Sequence, residues 1–506
     1  MFHQRVVTAA QMQAIEARLF AAGMPVAALM EKVALRITAW IKAHYPLAAW
    51  PKVGILVGPG HNGGDALVVA RELHHAGYRV AILCPGDRLK PLTQQHLDYI
   101  QHIGIPLYPA LNADLAACDF WVDGLFGFGL RRSLDGDLAE IIERINTAGV
   151  PIISIDLPSG IATDSGAVLG QAIHATQTLC LGLWKRAFFQ EAAVPYLGES
   201  HLIEFDIPET DIAAILGDSP IVQCITNAAM LAALPLNRSP IAHKYQMGNL
   251  LLVCGSQQYS GAAILAGLGA RATGIGMLTI AVPASLKPLL QAQLPEALIL
   301  ACPETPNGTI AALPTDISRY SAIGVGCGLT PEPTNIVQQI LATDHPVVLD
   351  ADGLNMIASQ PRWLHRSAPT ILTPHLGEFR RLFPGVDLSD RLTAAQAAAA
   401  ASGTIVLLKG ARVAIADPTG QLRLNLHSTS ALARGGSGDV LTGMIAGLLA
   451  QGGDPLELTA AAARWHAEAG VQTVGDRTVL GVDASHLAAM LIPTVARLQM
   501  TQRPTR

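Results

Sequence analysis

Charge is scarce in this 506-residue chain: Lys, Arg, Asp and Glu make up 14% of it, against the quarter usual for soluble domains. The 34 Lys+Arg and 39 Asp+Glu leave a formal charge of -5, and no basic tract occurs, which argues against a nucleic-acid partner. Cysteines are few and scattered. The closest of the seven are Cys302 and Cys327, so neither a disulfide framework nor a CxxC metal site is expected. There is no Walker loop, since GxxxxGK[ST] does not occur, and any nucleotide phosphate must be held another way.

Apolar residues reach 50% and mean hydropathy is +0.35, yet the charge-free run from Tyr245 to Ala270 holds Asn249, Ser256, Gln257, Gln258, Ser260 and five glycines. It reads as strand, loop and helix, and no membrane partner is expected. The N-terminal Met1-Phe2-His3-Gln4-Arg5 lacks a signal-peptide apolar core, so a cytoplasmic location is expected. A homo-oligomer is the expected form.

The length allows two to four domains, and the strand-and-helix rhythm places a boundary near residue 218, where Pro208, Gly217, Pro220, Pro235 and Pro240 punctuate the chain. Both halves read as α/β. Before the boundary, two helices (Thr8 to about Ala22, Ala27 to about His44) precede a buried strand at 53–57. That strand runs into Gly58-Pro-Gly-His61-Asn62-Gly63-Gly64-Asp65, with helical spacing resuming at Leu67. Gly58, Gly60 and Gly63 spell GxGxxG, and Asp87 stands after the next strand where a ribose-binding acid would fall, so a nicotinamide dehydrogenase is a rival reading. Further strands end at Asp123, before Gly127-Phe128-Gly129-Leu130-Arg131-Arg132-Ser133, and at Asp156, before Leu157-Pro158-Ser159-Gly160. Ligands of parallel sheets sit at the carboxyl ends of strands, so Asn62, Asp65, Asp123, Asp156 and Ser159 are expected at one crevice, where their oxygens suit a hard cation. Lys185 follows a later strand, where it reads either as a solvated charge or as a group that assists proton transfer.

In this order and context these motifs resemble the NAD(P)H-hydrate epimerase domain, over about residues 8–210. The resemblance implies a Rossmann-like three-layer sandwich. It implies a potassium ion held with the help of Asn62, Asp123 and Ser159, and a hydrated nicotinamide nucleotide lined by residues 61–65 and 127–133. Asp156, near the reacting ring, would handle the proton, aided by Lys185. The chain departs from the family in His61, Ala66 and Trp184, where Asn, Gly and Pro are usual.

After the boundary, strands are expected at 249–254, 278–282, 322–325, 347–350, 370–373 and 404–409, each ending in a small or polar cluster. On the helix from Ala262, Ile264, Leu265, Leu268 and Ala272 fall on one side. The stretch Ala433-Arg434-Gly435-Gly436-Ser437-Gly438-Asp439 then feeds an apolar helix. A helix N-terminus has unpartnered N–H groups and a positive dipole end, so Gly436, Ser437 and Gly438 form an expected anion hole with Asp439 beside it as a base; the alternative is an ordinary loop-to-helix junction. Asp350 and Asp352 read as strand-end turn residues, with water-mediated magnesium binding as the alternative.

These clusters resemble the ribokinase-like ADP-dependent NAD(P)H-hydrate dehydratase domain, over about residues 220–500. The resemblance implies that Lys409, Gly410, Ala411, Arg412, Val413 and Gly438 contact the adenine nucleotide. Gly326, His375 and Asp439 would contact the hydrate, with Ala262 close by. Ser437 and Cys327 stand where the family often has Thr and Pro. Together the halves imply a bifunctional repair enzyme, with residues 1–217 as epimerase and 218–506 as dehydratase. It would interconvert the R and S hydrates of NADH and NADPH and return the S form to NAD(P)H, with ADP giving AMP and phosphate and magnesium on the nucleotide. The ligands expected are small molecules. A ribokinase-fold kinase for a vitamin-like alcohol remains the second rival, and a nucleotide-sensing first half the third.

Overall fold

The computed structural model describes residues 4–86, 88–111, 117–219, 221–313 and 316–502. Asp87, the ribose-binding candidate of the dehydrogenase reading, lies outside them. The chain divides into two compact units, of which one spans Arg5–Pro220 and the other Ile221–Arg506.

The first unit carries a sheet in the order Leu107–Tyr108, Arg79–Leu83, Lys52–Val57, Phe120–Gly124, Ile152–Ile155, Gln177–Leu181, Glu199–Ile203, every pairing parallel. The three central strands are buried almost throughout, as parallel strands covered on both faces must be. A short strand at Gln4–Val7 pairs with Trp184–Lys185, setting Val7 opposite Lys185. The expected first helices occur as Ala9–Ala21 and Val26–His44. The glycine stretch differs from its reading as a loop up to Asp65. The helix already starts at His61 and runs to His75, so His61–Asp65 form its first turn.

In the second unit the strand order is Leu298–Cys302, Met277–Pro283, Asn249–Val253, Ala322–Val325, Val347–Leu349, Thr370–Leu372, Ile405–Leu408, Val413–Ala416, Leu422–Asn425, Val222–Cys224. Pairing is parallel except at both edges of Val413–Ala416, which forms antiparallel hairpins with its neighbours. The six expected strands are present; Leu298–Cys302, Val413–Ala416, Leu422–Asn425 and Val222–Cys224 are additional.

The helix Ser437–Leu449 is buried on all sides from Val440 onward. It packs on Ser260–Ala272, whose buried residues are Ala263, Ala266, Gly267, Gly269 and Ala270, while Ile264, Leu265, Leu268 and Ala272 are only partly covered. The large residues therefore do not form the inner face, because the two backbones come too close. A Cβ at Gly443 would sit 1.9 Å from the Ala266 carbonyl oxygen. This contact joins the middles of the two helices, and Gly436, at the turn, packs against Leu265 of the same neighbour. Among the described residues no helix is long and apolar enough to cross a membrane.

Candidate active sites in the two units

A cavity of about 710 Å3 opens at the carboxyl ends of the first sheet. Its lining includes His61, Asn62, Asp65, Gly127–Arg131, Asp156 and Lys185, together with Ala9, Gln13, Glu16, Ala17 and Phe20 from one face of the first helix. Gly63 and Gly64 face inward instead, where side chains would collide with the Gly58 carbonyl and Met30. Arg132 and Ser133 stand outside the lining; Ser133 donates to Asp135.

Asp156 sits at φ +68, a backbone conformation costly for a residue with a side chain and typical of functional sites. Its Oδ2 accepts from the Phe128 N–H at 2.9 Å, and its Oδ1 accepts from Lys185 Nζ and from the Leu181 N–H at 3.3 Å. Lys185 also donates to the Leu181 carbonyl at 2.6 Å and is 1% exposed, so the solvated-charge reading fails. Burial works against its charge, but the Asp156 carboxylate outweighs that and holds its pKa above the ordinary lysine value.

Asp123 and Ser159 lie beneath the cavity, not in its lining. Asp123 Oδ1 accepts from Ser159 Oγ at 2.6 Å and the Leu125 N–H at 3.2 Å, and Oδ2 accepts from Ser154 Oγ at 2.8 Å and the Ser159 N–H at 2.9 Å. Burial raises the Asp123 pKa against these bonds. Asn62 approaches the same segment, its Oδ1 lying 3.0 Å from where a Gly127 Cβ would be. Its buried Nδ2 has no hydrogen-bond partner.

Two further acids face the ion pair. Burial, and then the charges of Asp156 and Glu16, push Asp65 well above the carboxylate range. Glu16, which no motif singles out, is pushed by burial to about 7, with Lys185 pulling down and Asp156 adding to the rise.

In the second unit Gly436, at φ +88, turns the chain into the helix, so that Ser437, Gly438 and Asp439 form its first turn. The Ser437 N–H is already engaged, donating to the Arg434 carbonyl at 3.3 Å. His466, another residue the motifs leave out, donates from Nε2 to the Ser437 carbonyl at 3.0 Å; burial pushes its pKa down to about 4 and keeps it neutral.

Asp350 is the strand-end turn residue expected, its carbonyl accepting from the Gly353 N–H at 2.9 Å, and its carboxylate is engaged as well. It is 1% exposed, its Oδ1 accepts from Lys409 Nζ at 2.7 Å and the Ala351 N–H at 2.9 Å, and its Oδ2 accepts from Thr442 Oγ1 at 2.6 Å. Asp352 accepts from the Thr330 N–H at 2.9 Å. A Cβ on Gly438 would lie 3.5 Å from Lys409 Nζ, so the ammonium is poised at the helix N-terminus. Burial, then the Asp350 charge, lifts Asp439 to about 6, opposed by Lys409 and a hydrogen bond from the Cys327 thiol.

Gly326 packs against this pair: at φ +127, its Cβ would fall 1.9 Å from the Asp350 carbonyl oxygen. Ala262 packs near Gly328. His375 caps the helix Leu376–Leu382, its Nδ1 accepting from the N–H groups of Gly377 and Glu378 while Glu378 accepts from its own N–H at 2.8 Å. Gly410–Arg412 form the turn before the strand at Val413.

A family model described as NAD(P)H-hydrate dehydratase matches residues 250–493, and one for the YjeF-related protein N-terminus matches residues 26–187. The bifunctional NAD(P)H-hydrate repair enzyme Nnr of Synechocystis is 53% identical over 494 residues, covering 96% of this chain and 94% of that protein. The chain belongs to this family of bifunctional NAD(P)H-hydrate repair enzymes. The Thermosynechococcus vestitus enzyme of the same name is 52% identical, with 97% of both chains covered. A crystal structure of the ADP/ATP-dependent NAD(P)H-hydrate dehydratase from Bacillus subtilis, co-crystallised with ATP and Mg2+, is 35% identical with a TM-score of 0.48. It covers 53% of this chain and 96% of that one. Among the residues that motifs leave out, Glu16 carries the weakest signal: it only adjoins the buried stripe Met12, Ile15 and Leu19 of an amphipathic helix.

Proposed function

We propose that residues 1–217 form an NAD(P)H-hydrate epimerase domain, and residues 218–506 a ribokinase-like dehydratase domain that uses ADP. The two matched segments, 26–187 and 250–493, fall on either side of that boundary.

In the dehydratase, Asp439 takes the proton of the hydrate hydroxyl as its oxygen attacks the β-phosphoryl of ADP. AMP leaves, and elimination of phosphate then restores the nicotinamide ring. Hydroxide is a poor leaving group and phosphate a good one, so phosphorylation is what makes the elimination feasible. The observation that carries this reading is an acid with pKa about 6 in the first turn of a helix whose N-terminus also meets the Lys409 ammonium. The N–H groups around Gly436 and Gly438, with that ammonium, face the transferring phosphoryl. Lys409–Val413 and Gly438 hold the nucleotide, and Gly326, His375 and Ala262 border the hydrate. Magnesium would arrive on the nucleotide phosphates and supply charge neutralisation there.

In the epimerase, Asp156 and Lys185 contact the hydrated ring, and residues 61–65 and 127–133 border the nucleotide. Asn62, Asp123 and Ser159 fit a potassium ion by chemistry: a buried carboxylate, a hydroxyl and an amide oxygen, all hard oxygen donors, lie near the 124–127 segment. A bound potassium would supply positive charge beneath the nucleotide.

The test is to incubate the protein with mixed R and S hydrates and ADP and follow the near-ultraviolet absorbance of the reduced ring. With magnesium and potassium supplied, full recovery is expected; recovery of the S fraction alone would remove the epimerase half, and no recovery at all would remove the dehydratase half.

A further inference from the structure

The epimerase cavity holds more acids than its ion pair employs. Asp156 is fully committed, its oxygens accepting from Lys185 and from the N–H groups of Phe128 and Leu181. Both of its oxygens therefore already have donors. Glu16 differs. It lines the same cavity from the first helix, between Gln13 and Phe20, and among the described residues its carboxyl makes no hydrogen bond. The ionisable groups that act on it are Lys185 and Asp156, and its charge acts in turn on Asp65. His61, Lys90 and Arg131 complete the titratable lining outside this group.

We propose that Glu16 is a second catalytic residue of the epimerase, the carboxyl that carries the proton while Asp156 and Lys185 fix the ring. The inference rests on the epimerase reading of this cavity. Inversion at C6 requires the C6–O bond to break and re-form. The Glu16 carboxyl gives its proton to the hydroxyl, which leaves as water while the ring nitrogen's lone pair forms a C=N bond. Water adds to the other face, the electron pair returns to nitrogen, and the carboxylate recovers a proton. No redox change occurs and nothing is consumed. Such a group must exchange its proton near neutral pH, and burial, opposed by Lys185 and reinforced by Asp156, puts Glu16 there, at about 7.

The experiment measures R-to-S conversion without ADP across pH for the full chain, Glu16→Gln, Glu16→Asp and Asp156→Asn, with dehydration of the S hydrate as the check on folding. Glu16→Gln should lower kcat by about 100-fold with KM within about threefold, and erase the wild-type inflection near neutrality. Glu16→Asp should restore about tenfold of the loss and keep an inflection. If Glu16→Gln keeps kcat and the inflection while Asp156→Asn is dead, the proposal is overturned and the site reading stands. If neither substitution matters, the site reading itself falls. A Glu16→Gln loss confined to KM, or one that Glu16→Asp does not relieve, makes Glu16 a packing residue and also overturns the proposal.

Discussion

Each unit buries an aspartate against a lysine at the carboxyl end of a parallel sheet, and the two pairs differ in what surrounds them. Asp156–Lys185 is closed off, with side chains 4% and 1% exposed; in Asp350–Lys409 the aspartate is 2% exposed but the lysine 21%. In the first unit a helix start, His61–Asp65, also lines the cavity, but the pair is closed off and cancels its own charge. In the second the ammonium stands at a helix N-terminus, so a surplus of positive potential faces outward. Each pair also has a second acid near it with a raised pKa, Glu16 at about 7 and Asp439 at about 6. One device thus serves two chemistries: a closed pair suits movement of a proton, and an open pair with a helix end suits a transferring phosphoryl.

The sharpest way to break that comparison is to remove the lysines. Lys185→Met leaves a buried, unpaired Asp156 and should cost about 3–5 kcal/mol of stability in urea unfolding of the first unit. Lys409→Met should cost clearly less, because water reaches Asp350 once that more exposed side chain goes. Equal losses would mean that the two pairs do not differ in closure.

Next in size are the carboxylates themselves. Asp439→Asn should reduce dehydration by about 100-fold or more with epimerisation unchanged, and Asp156→Asn should do the reverse. Near wild-type dehydration by the Asp439 variant would remove it as the base and reduce the second site to a nucleotide-binding helix end.

The pH dependence follows with a smaller effect. A base works only when ionised, so dehydration kcat/KM should fall as pH drops through about 6, by about tenfold per unit below it. The same raised pKa acts on folding in the opposite sense. Between the unfolded value of 3.8 and about 6 the folded state binds more protons than the unfolded one, so stability declines as pH rises through that window. Asp439→Asn should lack this decline in thermal melts taken across the window. Profiles in which activity holds flat to pH 5 would mean that Asp439 is not raised.

Much of this was legible in the residues because apolar strands ended abruptly in polar ones. Asp156 and Asp123 stand at such edges, which parallel sheets bring together, and Asp439 stands where a glycine loop turns into an apolar helix. What was not legible depends on distant partners. Lys185 stayed open between a solvated charge and a group that assists proton transfer, because nothing local shows that Val7 pairs beside it or that Asp156 folds onto it. Asp350 was legible as a strand-end turn residue but not as the partner of Lys409 and Thr442, which lie far along the chain. On the helix Ser260–Ala272 the large residues were legible as one side, but not that the small ones admit the neighbouring backbone. Glu16 had no signature at all, since its meaning comes from the cavity its helix covers.

His375 gives the finest discrimination. Its ring nitrogen accepts from the Gly377 and Glu378 N–H groups, a task Asn performs well at an N-cap and Ala cannot. His375→Ala should therefore cost about 1 kcal/mol, and His375→Asn should stay within about 0.5 kcal/mol of wild type. The comparison between units turns on dehydration by the Asn variant. In the closed first site Asp156 and Lys185 are held by each other and by backbone groups. In the open second site a capping residue with its side chain 57% exposed is free to touch the hydrate as well. A stable His375→Asn protein with a raised KM for the hydrate would assign the ring both tasks. An unchanged KM would leave it a cap alone, and the openness of the second site would then serve the nucleotide rather than the hydrate.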